Sequence, residues 1–412
     1  MLRERPFALL FVARMASMTA LSFVPVALAF GVLDLPGADA RTLSVVLASE
    51  MVPLVLFMLV GGVVADRYPR ARVLMVGELT SMLCWLVIGL MLTTGHAPLP
   101  LLCAVAAVFG LCGSVVWPAL NGIIPQVVPR DRLQSGNALL GLAANVARLV
   151  GIVGSGAVVV AVGSGPALVG AAGLFLLAAL CVSRLRVSGA APGPGDSPLA
   201  QLRDGWEEFR SRQWLWVVVA QFSVMVLGIE AAHGVLGPLV AKTELGGPAA
   251  WSAVLAGESV GMIVGVLVAV RLRPRRPILV ATVMALPASL VYLALGLRAP
   301  LWLCVIAAFV MGVCFDVFGV LWQTTMQREV PAEALSRVSS YDAVGSLMFG
   351  PVGLLLAGPL AVVAGPHPVL VGCWALCLLA TLAALLAPGV RGLTAPGGDD
   401  DVLPRPAEVV GG

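Results

Sequence analysis

The sequence predicts an all-α membrane protein whose twelve transmembrane helices form two parallel-repeat six-helix bundles. Hydrophobic residues occupy 59% of the 412 positions and charged residues only 11%, whereas a soluble domain carries roughly 25% charged residues. Apolar stretches of about 20 residues recur along the chain, and a helix of that length crosses a bilayer core. The apolar runs are continuous rather than alternating, which excludes a transmembrane β-barrel.

Polar residues, prolines and glycines divide the chain into twelve predicted spans. The first apolar run follows a short basic segment and is too long for a signal peptide, so we expect it to remain as span 1. The predicted spans cover residues 7–32, 43–64, 72–94, 99–123, 137–162, 166–184, 213–241, 249–271, 277–297, 300–325, 338–364 and 368–387.

The basic residues indicate how the spans are oriented. With the N-terminus in the cytoplasm, only Arg41, Lys242 and Arg298 fall on the outer side, and the other basic residues between spans fall inside. An excess of basic residues in cytoplasmic loops sets the orientation of membrane proteins. The sequence therefore predicts a multi-pass protein of the inner (plasma) membrane with both termini in the cytoplasm.

Four segments are predicted along the chain. Residues 1–187 form an N-terminal six-helix bundle and residues 213–387 a C-terminal one. Residues 188–212 are a cytoplasmic linker with an amphipathic helix, which either lies on the membrane surface or continues span 7. Residues 388–412 lack apolar periodicity, and we expect a disordered cytoplasmic tail.

The two bundles repeat each other in sequence. The pair Val128-Pro129 recurs as Val330-Pro331, an offset of 202 positions (331 − 129), and Gly353 follows Gly151 by the same offset. Because each half has six spans, both copies enter the membrane in the same orientation. This arrangement predicts a transport site between the halves, opened alternately to each side.

The loop between spans 2 and 3 carries the most specific motif, Gly61-Gly62-Val63-Val64-Ala65-Asp66-Arg67-Tyr68-Pro69-Arg70-Ala71-Arg72. It resembles the loop signature of the major facilitator superfamily. The resemblance implies that the glycines let helices approach and that the charged residues latch the halves on the cytoplasmic side. The predicted cytoplasmic gate comprises Gly61, Gly62, Asp66, Arg67, Arg70, Arg72 and, from span 11, Asp342.

Two alternatives remain for this gate. The arginines could serve only as topology determinants, although that would not explain Asp66 or the paired glycines. Asp342 could simply interact with the dipole of its own helix. The equivalent loop of the second half has Val270 where Asp66 stands, so we expect the first half to carry the latch.

Span 5 contains Gly151, Gly154 and Gly156, at spacings that permit close helix packing. The segment resembles the glycine-rich signature of drug and proton antiporters in the same superfamily, although its proline is missing. The block from Trp117 to Asn137 is similar to the branch that holds enterobactin exporters and macrolide efflux proteins. That resemblance implies proton-coupled efflux of a small amphiphilic molecule, such as a drug, antibiotic or siderophore-like metabolite.

Ionisable residues inside spans are costly, by about 3 kcal/mol at the bilayer centre, so each needs a partner or a function. An unpaired buried carboxylate can bind a proton near neutral pH, as proton coupling requires. Glu230 is the first candidate for carrier, unless His233 three residues later satisfies it. The full set of proton or substrate candidates is Glu230, Glu258, Asp316, Arg148, Arg14 and His233. For Arg14, snorkelling to the interface is the alternative.

Other functions fit the sequence less well. The chain has three histidines, no metal-binding spacing and no nucleotide-binding glycine loop, so we predict no enzyme activity, no metal and no cofactor. The expected partners are a small-molecule substrate, protons and membrane lipid, with no nucleic acid, and the chain is expected to be a monomer. A proton-coupled importer, a non-transporting membrane sensor and a membrane enzyme remain alternatives.

Overall fold

A computed structural model describes residues 4–128, 133–185 and 198–395. Twelve helices in these ranges are long and apolar enough to cross a membrane, as predicted. Spans 1 to 6 belong to the helices Arg5–Leu33, Ala40–Arg67, Arg70–Thr94, Leu99–Val127, Leu133–Val162 and Ser164–Ser183. Spans 7 to 12 are Gln213–Leu245, Pro248–Arg271, Pro277–Gly296, Leu301–Glu329, Arg337–Ala364 and Pro366–Leu386.

Span 2 begins earlier than predicted because its first turn is capped. The Asp39 carboxylate accepts hydrogen bonds from the backbone N–H groups of Arg41 and Thr42, and the Asp39 N–H donates to the Thr42 hydroxyl. Such a capping box satisfies N–H groups that a helix start leaves open. The helix therefore starts at Ala40, three residues before the predicted residue 43.

Glycines bring helices of each half into backbone contact. A Cβ atom at Gly110 in span 4 would overlap the carbonyl group of Glu50 in span 2, and one at Gly312 in span 10 would overlap that of Glu258 in span 8. The two glycines are 202 positions apart (312 − 110), the offset of the sequence repeat. Glu50 and Glu258 therefore occupy equivalent positions in the two halves.

The halves meet where span 2 packs on span 11 and span 5 packs on span 8. Gly358 of span 11 lies against Ala40, with only 2.6 Å from a Cβ position to the Ala40 carbonyl oxygen, and Gly156 of span 5 lies against Ser252 of span 8. These contacts lie at the end of the bundle that is predicted to face outward. We call it the outer end, and the opposite end the inner end.

The predicted amphipathic segment is a separate helix, Pro198–Ser211. Arg212 has extended backbone angles (φ −106°, ψ 104°), so the helix does not continue into span 7. The Trp206 ring packs against Phe209 at 5.7 Å and against Tyr341 of the span 11 helix at 5.6 Å. Aromatic contacts thus dock this linker helix on the C-terminal half.

The prediction of a disordered tail from Pro388 is wrong for its first residues. Residues 388–392 form a short helix, and Val390 is fully buried against span 7. The Ala395 N–H also donates to the carbonyl oxygen of Arg275. The remainder of the tail, residues 396–412, lies outside the described residues, as do residues 129–132 and the linker stretch 186–197, which includes the predicted boundary at residue 187.

Candidate functional site

A cavity of about 470 Å³ lies between the two halves, near the middle of the spans. Spans 1, 2, 4, 5, 7, 8 and 11 contribute to its wall, which is mostly apolar. Five ionisable side chains line it, from both halves: Glu50, Arg148, Glu230, His233 and Glu258. Four of these were predicted as proton or substrate candidates, and Glu50 was not.

Glu258 is the centre of a charge cluster that joins the halves. Its Oε1 lies 3.5 Å from a guanidinium nitrogen of Arg148 in span 5, and its Oε2 lies 3.2 Å from His233 Nε2 in span 7. The other ring nitrogen of His233 lies 3.2 Å from the Tyr292 hydroxyl. Each oxygen of this carboxylate therefore has a donor, and the pair with Arg148 links the N-terminal to the C-terminal half.

Glu230 has no such partner. Within the described residues, its carboxylate makes neither a hydrogen bond nor an ion pair, although it lines the cavity. The alternative that His233 satisfies Glu230 is not supported, because the histidine contacts Glu258 and Tyr292 instead. A carboxylate without a hydrogen-bonding or ion-pair partner in such a cavity is available to bind a proton or a cationic group.

The backbone of span 7 explains why His233 contacts Glu258 and Tyr292 rather than Glu230. Residues 231–236 form a π-helical turn immediately before Gly237 and Pro238. Pro238 lacks an N–H group and would clash with the carbonyl of Gly234 in a regular helix, so the preceding turn widens. The π-helical turn includes His233 and alters its angular position relative to Glu230.

Glu50 of span 2 lines the cavity although the sequence did not predict it as a proton or substrate candidate. Its carboxylate also has no hydrogen-bonding or ion-pair partner in the described part of the chain. Glu50 and Glu230 are close enough for their charges to repel each other when both are ionised. The cavity thus holds two carboxylates, one from each half, that make no hydrogen bond or ion pair with the described residues.

Two further candidates lie away from the cavity lining. Asp316 of span 10 packs where Gly265 of span 8 approaches, rather than in the cavity wall. Arg14 lies beside Glu78, whose Oε1 accepts a hydrogen bond of 2.6 Å from the Ser17 hydroxyl. Arg14 is partly buried in the N-terminal half, so snorkelling does not account for its whole side chain.

The outer end of the cavity is closed. Lys242, the sole lysine of the chain, extends from span 7 to the end of span 1. Its Nζ lies 2.6 Å from an Asp34 carboxylate oxygen and also donates to the Leu33 carbonyl oxygen. Together with the glycine contacts at Gly156 and Gly358, this ion pair holds the outer ends of the halves together.

Known proteins share this architecture. Residues 7–350 match the profile of the Major Facilitator Superfamily. The chain belongs to this superfamily. It is a multi-pass transmembrane transporter, and the major facilitator fold predicted from the sequence is confirmed.

Its relatives within the superfamily belong to the branch predicted from the sequence. The transporter is similar to the multidrug efflux pump Tap of Mycolicibacterium fortuitum, with 27% identity over 86% of this chain and 89% of Tap. It is 26% identical to the enterobactin exporter EntS of Salmonella typhi, over 86% of this chain and 88% of EntS. The solved nucleoside transporter NupG shares the fold, with a TM-score of 0.70 and 13% identity, and covers 94% of this chain and 100% of NupG.

The loop motif typical of the superfamily lies at the end of span 2 and the start of span 3. Gly61 packs against the backbone of Ser114 in span 4, as a glycine at a close helix contact must. Arg67 and Arg72 are exposed. Gly62 and Asp66 lie in the span 2 helix, Arg70 begins span 3, and the gate role of this loop stays a prediction.

Asp342 differs from its predicted place in that gate. Its two carboxylate oxygens accept hydrogen bonds from Trp322 Nε1 at 3.2 Å and from the Ser346 hydroxyl at 3.3 Å. In the described part of the chain it pairs with none of the loop arginines. Asp342 instead lines a second cavity within the C-terminal half.

The three glycines of span 5 have different surroundings. A Cβ atom at Gly151 would lie 2.5 Å from the backbone oxygen of Thr19 in span 1, and one at Gly156 would overlap Ser252. Gly154 has only the Phe23 ring nearby, at an ordinary 3.8 Å. Close helix packing therefore accounts for Gly151 and Gly156 but not for Gly154.

Proposed function

We propose that this transporter exports a small amphiphilic molecule from the cytoplasm in exchange for protons. Support for export comes from the relatives, which are named a multidrug efflux pump and an enterobactin exporter. The mostly apolar cavity wall with a few charged groups suits an amphiphile. The transporter acts as a monomer in the inner membrane, has no enzyme activity, and has both termini in the cytoplasm.

The observation that carries proton coupling is the unpartnered carboxylate of Glu230. Glu258 already has two cationic or donor groups, Arg148 and His233, so its charge is compensated. Glu230 makes no hydrogen bond or ion pair within the described residues, although the charge of a protonated His233 acts on it at longer range, and Glu50 adds a second negative charge nearby. Binding one proton relieves the repulsion between these two acids, which favours protonation of one of them.

A transport cycle follows from this arrangement. With the outer end closed, the amphiphile enters from the cytoplasm and displaces the proton from Glu230. The halves then rock, so that the outer end opens and the Asp66 loop closes the inner end. Release of the substrate leaves Glu230 free to take up an external proton, which returns the transporter to its starting conformation.

Ethidium accumulation in cells tests this proposal. Cells that express the transporter should retain less of this fluorescent amphiphile than cells without it, and a protonophore should abolish the difference. Glu230→Gln should behave like the empty vector while its yield and gel-filtration profile stay normal. Glu329→Gln is the matched control, because Glu329 pairs with Arg328 in the inner loop and lies far from the cavity.

The outcomes separate the alternatives. If expressing cells still retain less ethidium than control cells when the protonophore is present, this result would contradict proton coupling. Higher retention in expressing cells than in control cells would indicate import. Efflux by Glu230→Gln at the rate of the unmodified protein would contradict the role of Glu230.

A further inference from the structure

A second cavity, of about 270 Å³, lies wholly within the C-terminal half between spans 7, 10 and 11. It is nearer to the inner end than the central cavity, since it involves the second and third turns of spans 7 and 11 and the second half of span 10. Four aromatic side chains dominate its wall: Phe222, Phe315, Phe318 and Trp322.

The aromatic rings are arranged along one wall. Phe318 lies nearly parallel to Phe222, with centroids 5.6 Å apart and planes inclined by 15°, and nearly parallel to Trp322, at 6.1 Å and 11°. Phe315 meets Phe222 edge-on at 6.2 Å. The faces of aromatic rings carry partial negative charge, and they attract organic cations within about 6 Å of the ring centre.

Asp342 adds a carboxylate to the same cavity. It is the one ionisable residue that lines this cavity in the described part of the chain. Trp322 and Ser346 donate to its oxygens and fix the carboxylate in position, but neither neutralises its charge. A carboxylate facing aromatic rings without a counter-cation is the combination that recognises substituted ammonium groups.

We propose that this second cavity binds an organic cation of the substituted-ammonium class, with the cationic group between Asp342 and the aromatic wall. Its place near the inner end makes it a first binding site for a substrate that approaches from the cytoplasm. That part of the inference rests on the proposed export function, whereas binding of the cation does not.

The chain offers a steric test at Gly319. This glycine lines the second cavity, and a Cβ atom built on it meets no described atom within 4 Å. A leucine there should project into the cavity and fill it. Gly372 in span 12 is a matched control, because a Cβ there also meets no atom within 4 Å and the residue is exposed and lines neither cavity.

Binding of radiolabelled benzyltrimethylammonium to the purified full-length transporter tests the proposal. Equilibrium dialysis gives the dissociation constant, and neopentylbenzene, the uncharged isostere, should fail to compete. Asp342→Asn should weaken binding by about tenfold, which corresponds to about 1.4 kcal/mol. Gly319→Leu should abolish binding, and Gly372→Leu should leave it unchanged.

Two variants of Trp322 separate the ring from its hydrogen bond. Trp322→Phe and Trp322→Leu both lose the N–H donor to Asp342, but only the phenylalanine keeps an aromatic face. We expect binding to be about fivefold weaker in the leucine variant than in the phenylalanine variant. Equal affinities in two folded variants would contradict a role for the aromatic wall.

The remaining outcomes distinguish this site from the proposed function. If the unmodified protein does not bind benzyltrimethylammonium, the proposed site is wrong. The site is also wrong if Gly319→Leu binds the cation normally while Glu230→Gln loses binding. Neither result would contradict the proposed export function. Binding with the expected variant pattern, in a protein that shows no protonophore-sensitive efflux, would support the site and contradict the proposed function.

Discussion

Replacement of Asp34 by Asn should shift the transporter towards a conformation that is open at the outer end. The change removes the ion pair with Lys242, whose 2.6 Å contact joins span 1 to span 7. Both side chains are partly solvated, with 33% of Lys242 and 62% of Asp34 exposed, so the pair contributes no more than about 1 kcal/mol. That free energy corresponds to roughly a fivefold change in the equilibrium between the two conformations.

Hydrogen–deuterium exchange measured by mass spectrometry can detect this shift. The reporter is the contact between Ala40 in span 2 and Gly358 in span 11, which is separate from the altered pair. Because exchange through opening follows the opening equilibrium, peptides from this contact should exchange up to about fivefold faster in Asp34→Asn.

Glu244→Gln is the matched control for this measurement. Glu244 pairs with His367 at 2.7 Å, close to Lys242, but both residues belong to the C-terminal half. Loss of that pair should not separate the halves. Unchanged exchange in Asp34→Asn, or an equal increase in Glu244→Gln, would refute the view that the Lys242–Asp34 pair holds the outer end closed.

Three further predictions follow from the packing and the cavity. Gly151→Ala should lower the free energy of unfolding by about 1–3 kcal/mol through overlap with span 1, whereas Gly154→Ala should leave the thermal melting temperature unchanged. Trp206→Ala should undock the linker helix and accelerate tryptic cleavage at Arg210, because it removes two aromatic contacts of about 0.5–1.5 kcal/mol each. Glu50→Gln should remove the repulsion on Glu230 and so move the pH dependence of ethidium efflux to lower pH; an unchanged profile would contradict their coupling.

Structural features that depend on regular patterns of residues could be predicted from the sequence. Apolar runs gave the twelve spans, and the offset of 202 positions gave the parallel halves. The same offset relates Gly110 to Gly312. Glu258 follows Glu50 by 208 positions (258 − 50), however, so their equivalence is visible only in the contacts that these two glycines make. The cost of ionisable residues inside spans also predicted Glu230, Glu258, Arg148 and His233 as candidates, together with Asp316 and Arg14, which do not line the cavity.

Partners between distant segments could not be predicted in this way. Three-residue spacing favoured contact between Glu230 and His233, but a π-helical turn before Pro238 and a carboxylate from span 8 gave His233 other partners. Asp342 was assigned to the gate from its place near a helix start. Its actual partner Trp322 is 20 residues away, on span 10, and no local pattern marks that contact.

Proton movement in proteoliposomes tests whether export is coupled to protons through Glu230. With purified transporter in sealed vesicles and a pH-sensitive dye inside, an imposed ethidium gradient should drive protons in the direction opposite to ethidium. Protein-free vesicles correct for leakage, and Glu230→Gln should abolish the proton signal. Protons that move with ethidium, or a Glu230→Gln signal equal to that of the unmodified protein, would contradict proton-coupled export through Glu230.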